Sequence, residues 1–221
     1  MRMRWGYGLL GTLGMALALL AGGGCGGTVP ATHYYLIDYE MPPVAAGDST
    51  VAPSDIALGV EGFSTQPVYR DRRIAYRLSG NEVVYYPYRY WAAAPGDLVA
   101  DQLAEHIRKS HLFRSVEVAP YGRTPDWVLS GHVAQFEEVV VNGQAMARLD
   151  LSVRLESTKT GELFWEDSVN AQQPVQGQAA DQIAAAMSRA MLEAGNEVVG
   201  KLRAQITQQA AANAASESDE H

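Results

Sequence analysis

Asn142-Gly143 is the strongest short hairpin signal in the chain, because both residue types accept the positive φ that a tight two-residue turn between strands requires. Beyond it, Ala147, Leu149, Leu151, Val153 and Leu155 alternate with Arg148, Asp150, Ser152, Arg154 and Glu156. A period of two sends the apolar set to one face of a strand and the polar set to the other. Residues 126–141 read as the long partner strand, with a bulge at Gly131. Residues 158–161 have turn chemistry, and 163–169 return as a third strand. Three hairpin-linked strands make a meander whose apolar face must be buried.

Two amphipathic segments can cover it. Val99, Leu103 and Ile107 recur at every fourth position, Pro95 suits a first helical position, and Asp97 suits the positive end of the helix dipole. With Arg108 and Lys109 at the other end, residues 97–109 read as a helix. Residues 178–206 read as a longer one, with Ile183, Met187, Ala190 or Met191, Ala194, Val198 and Leu202 on its apolar stripe. Gly195 and Gly200 each cost about 1 kcal/mol against Ala in a helix, which predicts a weak point or a close packing contact.

Residues 33–39, 56–63 and 113–118 read as further strands. Residues 73–78 and 82–86 form a hairpin around Ser79-Gly80-Asn81. Residues 41–53 and 120–125 are connections. The expected fold is α+β: an antiparallel sheet, a meander, covered on one face by two amphipathic helices. Residues 33–206 suit a single domain, and 207–221, lacking large apolar residues, predict a disordered tail.

The first residues set where this domain works. Arg2 and Arg4 precede an uncharged run at 9–21, which has the length of a signal-peptide core and falls short of the roughly 20 residues of a membrane span. Gly22, Gly23 and Gly24 lead into Cys25, the chain's single cysteine. A lone thiol is free, paired between chains or modified. Its place directly after the apolar run favours modification over a spare cysteine behind an ordinary secretory signal. Residues 1–24 resemble a lipoprotein signal peptide, cleaved between Gly24 and Cys25, although Gly22 stands where that pattern usually has Leu. The resemblance implies lipid, palmitate included, on Cys25, with residues 25–32 as a lipidated tether. Gly26, which is not Asp, implies sorting to the outer membrane with the domain facing the periplasm.

The chain has 17 basic and 25 acidic residues, and the leader holds Arg2 and Arg4 but no acid. The remainder therefore carries 15 basic side chains and a formal charge of −10. That balance excludes a nucleic-acid binder that relies on a basic face.

The order of features is similar to the ABC-type transport auxiliary lipoproteins, the PqiC-like group. The matching pieces are YYLI (34–37), IALGV (56–60), RRIAYR (72–77) and VVYYPYRYWAAAP (83–95). They continue with the helix, FRSVEV (113–118), the WVLSGHVAQFEEV strand and the closing helix. The resemblance implies a membrane-anchored auxiliary component, with ABC transporter subunits and an MCE-domain protein as partners, docking a lipid conduit at the outer membrane. An alternative is a lipid- or lipopolysaccharide-binding envelope assembly lipoprotein that carries cargo itself. A homo-oligomer is compatible with either.

No enzyme motif stands out. The chain has no G-x-x-x-x-G-K-[ST] loop, and Ser130 lacks the glycine two residues earlier that a nucleophile elbow needs. His33, His106, His111 and His132 are scattered, so solvated or capping roles outweigh metal binding, and no cofactor is expected. Glu137 and Glu138 are adjacent in a strand and point to opposite faces, which makes them a poor acid–base pair. Glu166 and Asp167 fail in the same way.

The remaining unusual feature is the aromatic run. Tyr85, Tyr86, Tyr88, Tyr90 and Trp91 are the candidate partner- or lipid-binding residues, since amphipathic rings suit interfaces. The commoner alternative is that they pack the hairpin onto the first helix, and a mixture of the two roles is compatible with the pattern. If the strand persists past Pro87, alternation sends Tyr86, Tyr88 and Tyr90 one way and Tyr85 the other. Arg70, Arg72 and Arg73 beside them could meet an acidic partner, or could be a solvated edge that deters aggregation.

Overall fold

The computed structural model describes residues 30–41, 54–177 and 179–219. Gly24, Cys25, the leader, most of the 41–53 connection and Gln178 lie outside these residues. The described residues from Thr32 onward form one compact unit.

The meander organises it. Strands β7 (Trp127–Val141), β8 (Gln144–Ser157) and β9 (Leu163–Pro174) pair antiparallel in sequence order. Asn142 and Gly143 take φ of 52° and 80°, the left-handed pair that the tight turn demands. The alternation of β8 holds: Ala147, Leu149, Val153 and Leu155 are completely buried.

The other edge of β7 carries three strands in succession along its length. These are β2 (Ser54–Val60), β3 (Ser64–Thr65) and β4 (Arg73–Ser79), and all run parallel to it. Outside β2 lies β6 (Phe113–Val118), also parallel. Outside β4 come its hairpin partner β5 (Glu82–Trp91) and then β1 (His33–Tyr35), parallel to β5. The sheet is therefore mixed, which corrects the expectation of an antiparallel one. The cause is the connection: helix α1 (Pro95–Lys109) lies in the chain between β2 and β6, and a long crossover of this kind returns a strand in the same direction.

Helix α1 begins with Pro95 at its first position and ends where Ser110 turns back, its hydroxyl donating to the Ile107 carbonyl at 2.6 Å. Val99, Leu103 and Ile107 are completely buried. Helix α2 (Ala180–Asp219) buries Met187, Ala190, Met191, Ala194, Val198 and Leu202. Both helices pack on the sheet and on each other. Burying a side chain of the Leu or Met class contributes roughly 1.5–3 kcal/mol, so this apolar layer is the main source of stability. Past Ile206, α2 continues to Asp219 where a disordered tail is expected. Gln and Ala favour helix, and neither Gly nor Pro interrupts 207–219.

Gly131 is not a bulge. A Cβ there would lie 2.7 Å from Phe63 Cδ1, so glycine makes room for the Phe63 ring. The irregularity in β7 falls later, between Val133 and Gln135.

Candidate functional site

The aromatic run lies on β5, and its geometry follows from a break in register. Arg73 pairs with Tyr90 and Ala75 with Tyr85, so two steps along β4 face five steps along β5. Pro87, which has no N–H for a ladder, lies within the excess, and beside it Tyr88 adopts φ 59°. The simple alternation does not pass through this point, and the five aromatics disperse.

Trp91 enters the core. It is 1% exposed and meets Phe136 edge-on with ring centres 5.0 Å apart. This corrects its place among the candidate binding residues, because a ring enclosed on all sides has no surface for a partner. Tyr85 is half-buried; its hydroxyl donates to the Val68 carbonyl at 2.6 Å, and Arg73 lies over its ring at 4.4 Å. Asp71 orients that guanidinium through Arg73 Nε and Nη2, at 2.9 and 2.6 Å. The bond to Arg73 in turn holds the Asp71 carboxyl below its ordinary range.

Tyr86 turns the other way. Its hydroxyl donates to Glu138 at 2.6 Å, and its ring lies 4.7 Å from that of Tyr76. Burial first, and then Glu138, raise its hydroxyl pKa. Tyr76, Leu78, Tyr86, Glu138 and Val140 line an open groove of about 390 Å³. Tyr90 rests against Tyr34 of the edge strand β1 at 5.9 Å, and Tyr88 stays exposed. Arg70 is exposed and Arg72 donates to the Ala92 carbonyl at 3.3 Å.

Glu137 and Glu138 do diverge. Glu137, on the opposite face from Glu138, has a completely buried side chain and accepts from Arg77 Nε at 2.7 Å. Tyr69 closes over this pair; its hydroxyl accepts from Arg77 Nη2 at 3.5 Å and is pushed up by burial and by Glu137. Sequence reasoning missed this assembly, because its members come from positions 69, 77 and 137 and only the parallel β4–β7 pairing joins them.

The histidines lie on separate elements. His106, on α1, is buried between Tyr39 and Asn196; its Nδ1 and Nε2 are each 3.2 Å from an oxygen partner. His132 Nδ1 lies 2.8 Å from Ser64 Oγ. Among the described residues, no group of His, Cys, Asp or Glu is arranged to hold a metal ion. The arrangement is one of half-buried tyrosines, Tyr85 and Tyr86, fixed through their hydroxyls, with the aliphatic side chains of Leu78 and Val140 exposed beside Tyr86.

Two crystal structures share the fold. One is a Xanthomonas campestris protein, 19% identical, covering 81% of this chain and 99% of that one with a TM-score of 0.71. The other is an uncharacterized protein, 13% identical, covering 78% and 99% with a TM-score of 0.61. No curated protein matches the chain. The family model of the ABC-type transport auxiliary lipoprotein component matches residues 35–199, from the end of β1 to the middle of α2. That span takes in nearly all of the sheet, α1 and the first half of α2, and the chain accordingly belongs to the ABC-type transport auxiliary lipoprotein family.

Proposed function

We propose that this chain is a non-catalytic adaptor of an ABC transport system that moves lipid with an MCE-domain protein. Lipid on Cys25 anchors it to the outer membrane, the domain faces the periplasm, and there it docks the conduit. The observation that carries this reading is the family match across residues 35–199. The N-terminal pattern supports the anchor: two arginines, an uncharged run, three glycines and then the single cysteine. Three acyl chains on such a cysteine would give firm attachment, where one chain binds only marginally.

The packing between sheet and helices favours an adaptor over a cargo carrier. Leu103, Ile107, Leu149, Leu155, Met187 and Met191 fill that layer, and the groove beside Tyr86 opens outside it.

Affinity capture of the full chain from native membranes tests the role. Recovery of an MCE-domain protein and ABC subunits is the expected result, and capture that returns no envelope transport component overturns it. The anchor is tested by mass spectrometry of the mature N-terminus, where acylated Cys25 is expected. An unmodified Cys25 thiol would overturn that part.

A further inference from the structure

The tips of two hairpins lie together at one end of the sheet. Tyr76 pairs with Glu138 in the parallel β4–β7 contact, so two steps onward Leu78 comes level with Val140. Leu78 precedes the β4–β5 turn, and Val140 and Val141 precede the β7–β8 turn. Leu78 is 63% exposed, Val140 66% and Val141 39%. These are three of the seven large apolar side chains left exposed among the described residues. The two turns, Ser79-Gly80-Asn81 and Asn142-Gly143, carry no charge.

The chain's direction points at the same end. Strand β1 runs parallel to β5 with His33 opposite Arg89, so the chain that precedes His33 leaves toward the Glu82 end of β5, where the tips are. Cys25 is eight residues before His33, a reach of at most about 26–29 Å. Because β5 carries extra residues, the distance from the Arg73–Tyr90 pair to the Ser79–Glu82 pair is the six steps of β4, about 20 Å. A lipid-bearing Cys25 can therefore stand level with the hairpin tips.

We infer that Leu78, Val140 and Val141 form a second membrane contact that rests on the phospholipid surface beside the anchor. The inference depends on the lipid anchor at Cys25. Aliphatic tips beside uncharged turns match the boundary between headgroups and acyl chains. An acyl chain with a second apolar signal holds firmly and fixes orientation, which a docking adaptor requires.

The test uses the full-length lipoprotein in vesicles of phosphatidylethanolamine and phosphatidylglycerol at 3:1. A polarity-sensitive fluorophore is attached at Leu78→Cys, at Val140→Cys and, as a control, at Thr160→Cys in the turn at the opposite end of β8. All three positions are exposed, so labelling leaves the core intact. The expected result is a blue shift at 78 and 140, with several-fold stronger quenching by shallow spin-labelled lipid than at 160. Protein that floats with the vesicles while 78 and 140 respond no more than 160 overturns the contact and leaves the anchor standing. Protein that does not float and has an unmodified Cys25 overturns the anchor, and the contact with it. A shift at 78 and 140 without vesicles, in step with a rise in mass, assigns the tips to a second copy of the chain. A shift in native envelope vesicles but not in pure lipid assigns them to a protein partner. Either of the last two results overturns the lipid contact.

Discussion

Gly195 of α2 lies against the imidazole of His106 on α1: a Cβ at 195 would come within 2.7 Å of His106 Cε1. The ring cannot swing clear, since it is 2% exposed and held between Tyr39 and Asn196. Glycine here is thus the close-packing device, and its helix-propensity cost of about 1 kcal/mol is the cost of bringing the two helices together. Gly195→Ala is expected to destabilise by up to about 2 kcal/mol, the overpacking penalty of roughly 1–3 kcal/mol less the propensity gain of about 1. Urea unfolding measures it. Gly200, with open space around its Cα, supplies the contrast: Gly200→Ala is expected to stabilise. If both variants gain stability, the two helices are not in close contact at Gly195.

The same histidine makes stability depend on pH. Burial first, opposed by the bond to Asn196 and aided by the Lys109 charge, lowers its pKa below the ordinary 6.5. The groups facing it are Tyr39, Asn196, Lys109 and, beyond Tyr39, Glu105. As pH falls through 6.5 the unfolded chain takes up this proton and the folded one resists. Stability therefore falls until the lower folded pKa is reached. Between pH 7 and 5 the native chain should lose stability and His106→Gln should lose less. Denaturation midpoints across that window check it, and equal slopes would remove His106 from the account. Asp71, Asp126 and Asp167, whose pKa values are lowered, act further down the scale.

Arg77 and Glu137 form an ion pair in which the carboxylate is completely buried and the guanidinium 27% exposed. Removing only the cation strands a buried charge, a loss of about 3–5 kcal/mol in comparable pairs, while replacing both by apolar groups is often neutral. Arg77→Met is expected to fall in the lower part of that range, because water can still approach from the arginine side. The Arg77→Met, Glu137→Met double variant should recover most of the loss. A double-mutant cycle reads the coupling directly, and additive losses would show that the two groups act independently.

The sequence was most informative where the determining contacts are local. Strand Phe113–Val118, the Asn142-Gly143 hairpin, the alternation of β8 and the stripe of α1 each follow from residues a few positions apart, and each is present as expected. The parallel pairings of β7 with β2, β3 and β4 join residues 62 to 69 positions apart, and no periodicity encodes them. The aromatic run was only partly legible for a related reason. Its residues were found, but their directions depend on the register shift around Pro87, which places Trp91 in the core and frees Tyr88. Arg77 and Glu137 gave no signal, since each looks like an ordinary strand charge until β4 and β7 meet. The exposed Leu78 and Val140 were invisible as a patch for the same reason.

Tyr88 sits in the left-handed region at φ 59°, where a bulky side chain is rare and costs of the order of 1–2 kcal/mol relative to glycine. Its ring is 40% exposed, so little packing repays that cost. Two forces hold it there: the register fixed by Ala75↔Tyr85 on one side and Arg73↔Tyr90 on the other, and the adjoining Pro87, which cannot join the ladder. Tyr88→Gly should therefore raise stability by about 1 kcal/mol, whereas Tyr88→Ala, which removes the ring but keeps a Cβ, should not. Thermal unfolding of the two variants separates backbone from ring. Equal midpoints would mean that the backbone at 88 is not held left-handed, whereas a gain confined to glycine would mark Tyr88 as a ring kept exposed at the expense of stability, as expected of a residue retained for what it touches.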